Sequence, residues 1–126
     1  MTSIVSVTDR IFHLALADDW AAAFVAGEYR VSTLGMTVDE VGYMHASYVH
    51  QLRGVADAFY QGKEGVVLLV IDPSKVAAEV RDDLDPGSGQ YFPHIYGALP
   101  VAAVVAANPV GLLPDGRLDL DAILAA

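Results

Sequence analysis

The run Val66-Val67-Leu68-Leu69-Val70-Ile71 constrains this chain more than any other stretch, because six consecutive apolar side chains between Gly65 and Asp72-Pro73 leave no polar face for solvent. A membrane span takes about 20 such residues, so the run is far too short to cross a bilayer. Its valine and isoleucine content favours extended backbone. It reads as a buried strand from Val66 to Asp72, ended by Pro73, whose ring cannot donate to a ladder. The rest of the chain has to cover it.

Arg10 to Leu16 reads as a strand, and Asp18 to Ala26 as a helix capped by Asp18 and closed by Gly27, with Trp20, Phe24 and Ala21 turned to the core. Tyr29-Arg30-Val31 is a short extended piece, and after a turn at Gly35 a second strand covers Gly42 to Ser47. Tyr48 to Gln61 is an amphipathic helix with Leu52, Val55, Ala56, Phe59 and Tyr60 as its buried stripe, stopped by Gly62. Ser74 to Ala78 suggests a turn of helix and Glu79 to Leu84 an extended piece, followed by the loop Asp85-Pro86-Gly87-Ser88-Gly89. Val101 to Ala107 is divided, its valines favouring a sheet and its alanines a helix; strand is the preferred reading. Pro109 and Pro114-Asp115-Gly116 separate a tail, Leu118 to Leu124, that suits a short terminal helix or an edge strand. The order predicts one α+β domain with two early helices and a mostly antiparallel or mixed sheet.

Charge narrows the partners. The chain of 126 residues carries 16 acidic and 7 basic side chains, a formal charge of −9, which opposes docking on nucleic acid or an anionic membrane. The absence of cysteine excludes disulfides, thiolate zinc sites and a cysteine nucleophile. Met1 to Arg10 has neither the basic cluster nor the apolar run of a signal peptide, so a cytoplasmic protein is expected.

The chemistry gathers around Phe92-Pro93-His94-Ile95-Tyr96-Gly97. Pro93 holds its own φ and keeps Phe92 out of the helical region, while Gly97 allows a close approach that a Cβ would forbid. If the segment is extended, His94 and Tyr96 point the same way. On the second strand the same alternation puts Tyr43, His45 and Ser47 on one face, with Gln51 a helical turn beyond and Ser47 a candidate helix cap. His13 interrupts an apolar strand, where an imidazole requires a partner. Convergence of His13, His45 and His94 on one cleft would make His45 and His94 ligand donors or acid-base groups. If they are scattered, each is a hydrogen-bonded core residue. His50 has no special context and reads as surface.

Zinc accepts three histidines, but the spacing here is not that of a metal motif, and no metal is expected. Ser47 lacks the Gly-x-Ser-x-Gly elbow of a hydrolase, and no phosphate loop or Rossmann fingerprint occurs. Asp82, Asp83 and Asp85 read as a solvated face, unless one orients a histidine or positions a ribose. Arg10 and Arg81 are the candidate counter-charges for an anionic ligand.

Ile11-Phe12-His13, Gly42-Tyr43-Met44-His45-Ala46-Ser47, Gln51 with Val55-Ala56 and Phe59-Tyr60, and the hexapeptide Phe92 to Gly97 together resemble the domain-of-unknown-function 952 family over roughly residues 10 to 110. That family is similar in fold to ADP-ribosyltransferases, including the RNA 2′-phosphotransferases that use NAD. The resemblance implies a small nucleotide-like ligand, NAD or a related ADP-ribose compound, and an ADP-ribosyltransferase-like domain. It makes His13 the partner of a ribose hydroxyl and His45 with Ser47 the second wall of the cleft, which His94 and Tyr96 close. Beside it, the residues themselves offer Arg81 as a counter-charge and Gln51, near the strand–helix junction, as further binding candidates. The second motif of the family more often has Phe, Ile and Cys where Tyr43, Met44 and Ala46 stand. Glu79, Asp82 and Asp83 all compete for the late acidic position of such transferases, and the arginine-rich cluster of an RNA 2′-phosphate site is missing. The implied chemistry is cleavage of the bond between nicotinamide and ribose. Two further readings are a non-catalytic binding or regulatory domain and a histidine-metal hydrolase.

Overall fold

The computed structural model describes residues 10–124. In chain order the elements are β1 (Ile11–Leu16), α1 (Ala17–Ala26), β2 (Glu28–Tyr29), β3 (Val31–Thr33), β4 (Met36–Thr37), α2 (Val38–Val41), β5 (Met44–His45), α3 (Leu52–Phe59), β6 (Val66–Ile71), β7 (Val80–Asp85), β8 (Gln90–Ile95), β9 (Leu99–Pro100), β10 (Val104–Val110) and α4 (Asp121–Leu124). Two three-stranded antiparallel sheets dominate, ordered β1-β6-β10 and β5-β8-β7. The ribbons β2-β9 and β3-β4 are antiparallel too, so every strand pair among the described residues is antiparallel. A single antiparallel bridge, Phe12 with Ser47, ties the two large sheets together.

The central place of β6 explains its unbroken apolar sequence. Val67, Leu69 and Ile71 enter one core with Ile11, Ala15, Ala23, Tyr29, Met44 and Ile95, whereas Val66 and Leu68 enter another with Phe12, Leu14, Leu52, Ala56 and Tyr60. Strand alternation divides one run between two cores, so both faces of β6 are covered and Val70 alone in the strand is partly exposed. The tail is not an appendage: Leu118 and Leu120 are buried in the second core, and of its two readings the helical one holds, over Asp121–Leu124.

Several local expectations need correction. Helix α1 begins at Ala17, whose N–H donates to the Gly65 carbonyl at 2.7 Å, and Asp18 supplies no cap. Backbone from a neighbouring turn does what the side chain was expected to do. Gly27 does close the helix, at φ 91°. Phe24 is 67% exposed, and of α1 only Ala23 is fully buried, with Trp20 partly so. The second helix is shorter than its periodicity suggests: a tight turn at Val49–Gln51 precedes Leu52, and the helix ends at Phe59, itself 69% exposed. Val104–Val110 forms the strand expected near Val101 to Ala107, after a tight turn at Val101–Ala103, and it runs through Pro109. An edge strand tolerates that proline because one side of it needs no donor. The Asp85-to-Gly89 segment turns a hairpin between β7 and β8, with Gly89 at φ 72°. Among the described residues no helix is long and apolar enough to cross a membrane.

Candidate functional site

The hairpin β7-β8 and the short β5 create the site by register. His45 pairs with His94, and His94 with Arg81, so the three residues stand in one row across the sheet. Residues two positions away share their face, which places Tyr43, Phe92, Tyr96, Asp83 and Asp85 with them. The other face carries Met44 and Ile95, both fully buried. Burying that apolar face turns the polar one outward.

On it, the Tyr43 ring stacks on His94 with centroids 4.0 Å apart and planes 17° apart. His45 meets His94 edge-on at 5.2 Å. The Nδ1–H of His94 donates to Asp83 Oδ2 at 2.8 Å, and the Tyr96 hydroxyl donates to the same oxygen. Because an ionised carboxylate only accepts, Nδ1 bears the proton, and in the neutral ring Nε2 is the lone-pair nitrogen. The Tyr96 hydroxyl, and then His94, hold the Asp83 carboxyl below the usual carboxylate range. The same bond to Asp83 raises the Tyr96 phenol. Arg81 lies with its guanidinium carbon 4.1 Å above the centre of the Tyr96 ring and 3.8 Å from Asp83 Oδ1. It braces the carboxylate from outside the cleft.

The polar face opens into a cleft of about 340 Å³ shared with β1 and α3. His13, His45, His94 and Ser47 all line it, as do Phe12, Val55, Phe59, Leu84 and Phe92 on the apolar side. Three imidazoles from three distant pieces of chain thus reach one cavity, but they differ in what they have to offer. The ring of His45 makes no hydrogen bond among the described residues. Partial desolvation by the cleft walls, then the nearby His94, lower its pKa, against a smaller opposing effect of Asp85.

His13 is committed. Its Nδ1 lies 2.5 Å from the His45 carbonyl oxygen, which can only accept, so Nδ1 is the donor. Nε2 then takes the hydroxyl proton of Tyr29 at 3.1 Å. Burial brings its pKa from the ordinary 6.5 down to about 4, so the ring is neutral at pH 7. With both nitrogens occupied, His13 has no free donor for a ribose hydroxyl, and that role does not fit. It is part of the cleft wall, with its polar atoms spent on the protein.

Gln51 also departs from the expected set. Its side-chain oxygen accepts from Tyr48 N–H at 3.0 Å and its amide donates to the Tyr91 carbonyl at 2.8 Å, so it ties α3 to β8 and stays outside the cleft lining. This arrangement caps the turn at Val49–Gln51 without Ser47, whose backbone is instead paired with Phe12. Arg10 pairs with Asp72 at 3.1 Å, away from the lining residues. His50 is exposed as expected. Two of the acids that read as a solvated face have other places: Asp83 orients His94, the alternative left open for one of them, and Asp85 lines the cleft at the hairpin turn. The alternation Arg81, Asp83, Asp85 was the signal, but it acquires meaning only in register with His94. Asp82, on the opposite face, instead accepts from the Tyr48 hydroxyl. Among the described residues no cluster of three or more His, Asp or Glu side chains is arranged to hold a metal ion.

Comparison with known proteins agrees with this architecture. The profile of the family described as "Protein of unknown function (DUF952)" matches residues 14–107, and the chain belongs to that family. The crystal structure of protein CC0527 from Caulobacter crescentus is 26% identical and superposes with a TM-score of 0.82, covering 93% of this chain and 99% of that one. The solution NMR structure of CC0527 is 27% identical with a TM-score of 0.78, covering 93% of this chain and 97% of that one. No curated protein matches the chain.

Proposed function

We propose that this DUF952 protein binds a nucleotide-like small molecule, NAD or a related ADP-ribose compound, in the imidazole-lined cleft, and that His94 and His45 handle protons there. The hydrogen bond from His94 to Asp83 carries the reading. A carboxylate that fixes one ring nitrogen as donor leaves the other as a positioned acceptor, which is how an imidazole is prepared for general-base work. Structural histidines need no such unspent nitrogen, as His13 illustrates. The aromatic walls Tyr43, Phe59 and Phe92 suit a flat base, and two small antiparallel sheets meeting beside a cleft accord with an ADP-ribosyltransferase-like domain.

In this reading the bond between ribose and base breaks, the base departs with the bonding electrons, and Asp85 faces the positive charge that develops on the sugar. His94 takes the proton of the attacking hydroxyl. NAD and ADP-ribose are then expected to raise the melting temperature, since a ligand at a hundredfold excess over its Kd adds about 2.7 kcal/mol to folded-state stability. His94→Ala should abolish the shift. Binding without release of nicotinamide would identify a non-catalytic binding domain; no shift with either compound at millimolar concentration would sink the nucleotide reading.

A further inference from the structure

The charge inside the cleft is unusual for a nucleotide site. Among the described residues its lining includes no lysine or arginine, and the carboxylate it does contain is Asp85. The arginines are engaged elsewhere: Arg10 with Asp72, Arg30 with Glu28, Arg53 with Asp121, Arg81 with Asp83 and Arg117 with Asp115. Their forks, the groups best suited to phosphate, are therefore turned to the protein's own carboxylates. Of the imidazoles, His94 has its Nδ1–H committed to Asp83. His13 is neutral at pH 7, and partial desolvation biases His45 in the same direction. What the cleft presents is Asp85 together with the rings of Tyr43, Phe59 and Phe92, within a chain of charge −9. Aromatic faces beside a carboxylate attract cations, and a pyrophosphate in the same place would be desolvated without a counter-charge.

We infer that the cleft selects the N-glycoside of a positively charged heteroaromatic base, holding base and sugar between Asp85 and the aromatic walls while any phosphates remain outside in solvent. This rests on the nucleotide reading above and narrows it: the charged base, and not the phosphate chain, is what is recognised. A cationic nucleoside without any phosphate is a sufficient ligand. Asp85 is held at the cleft by the hairpin turn, where the Ser88 hydroxyl donates to its Oδ2 at 2.7 Å. The exposed edges of Phe59 and Leu84 at the rim offer apolar contact to a ring but nothing to an anion.

Calorimetric titration of the intact protein with nicotinamide riboside, whose pyridinium ring is permanently charged, and with its neutral dihydro form tests the charge requirement at nearly constant shape. The cation should bind about tenfold more tightly, a difference within reach of a ring-plus-carboxylate site. Asp85→Asn should remove most of that preference while leaving the affinity for the dihydro form unchanged, a result that loss of folding cannot imitate. Equal binding of the two forms, or ADP-ribose binding more tightly than the cationic riboside, overturns this inference and leaves the nucleotide reading in place. No binding of the ribosides, NAD or ADP-ribose removes both.

Discussion

The Nδ1–H of His13 donates to the main-chain carbonyl of His45 at 2.5 Å, so a buried imidazole on β1 sets the position of the strand that carries the exposed imidazole of the cleft. The two histidines line one cleft in different capacities. One is a strut between sheets, held at its other nitrogen by Tyr29; the other is available to a ligand.

That strut makes stability depend on pH in a definable window. The folded protein keeps His13 neutral down to about pH 4, whereas the unfolded chain takes up a proton near the ordinary 6.5. Between these values the unfolded state binds more protons, so stability rises with pH, is complete above the upper value and is lost as pH falls toward the lower one. The lost contribution is roughly 3 kcal/mol. Denaturant midpoints measured across this range should fall on acidification, and His13→Gln should flatten the slope. An unchanged slope in the variant would assign the pH dependence to other groups.

Asp83 should control which nitrogen of His94 carries the proton. Nitrogen NMR of the ring is expected to report the Nδ1–H tautomer in the parent protein and a mixture in Asp83→Ala, because the accepting oxygen is gone. The Tyr96 phenol should then titrate at lower pH, since its bond to Asp83 is what raises it. Retention of a single Nδ1–H tautomer in the variant would show that Asp83 does not orient the ring.

Gly97 is required by a close approach and not by its torsion angle. A Cβ built there lies 2.8 Å from the Cβ of Ala78, an atom fixed to the backbone that cannot swing aside. Gly97→Ala should destabilise the fold by about 1–3 kcal/mol, as overpacking does. Adding Ala78→Gly should recover part of the loss in a double-mutant cycle. Additive effects of the two substitutions would mean that they do not meet.

What sequence alone determines here is the part governed by short-range pattern. The apolar run of β6 reads as a strand covered on both faces, Gly27 ends α1 where a left-handed residue is needed, and alternation puts Tyr43 with His45 and His94 with Tyr96. Pro93 and Gly97 mark constrained backbone, and the motifs taken together point to the family whose profile matches residues 14–107. The structure alone decides what each imidazole can do. His13 and His45 are separated by 32 positions, and nothing near either residue indicates that the carbonyl of one consumes the donor of the other. Asp83 resembles any solvated acid until the hairpin brings it beside His94, and Gln51 resembles a ligand donor until β8 takes up its amide. Local periodicity says which way a side chain points, because backbone geometry repeats every two residues in a strand. Whether its polar atoms are already satisfied depends on partners supplied by register between distant strands, and no local pattern encodes that.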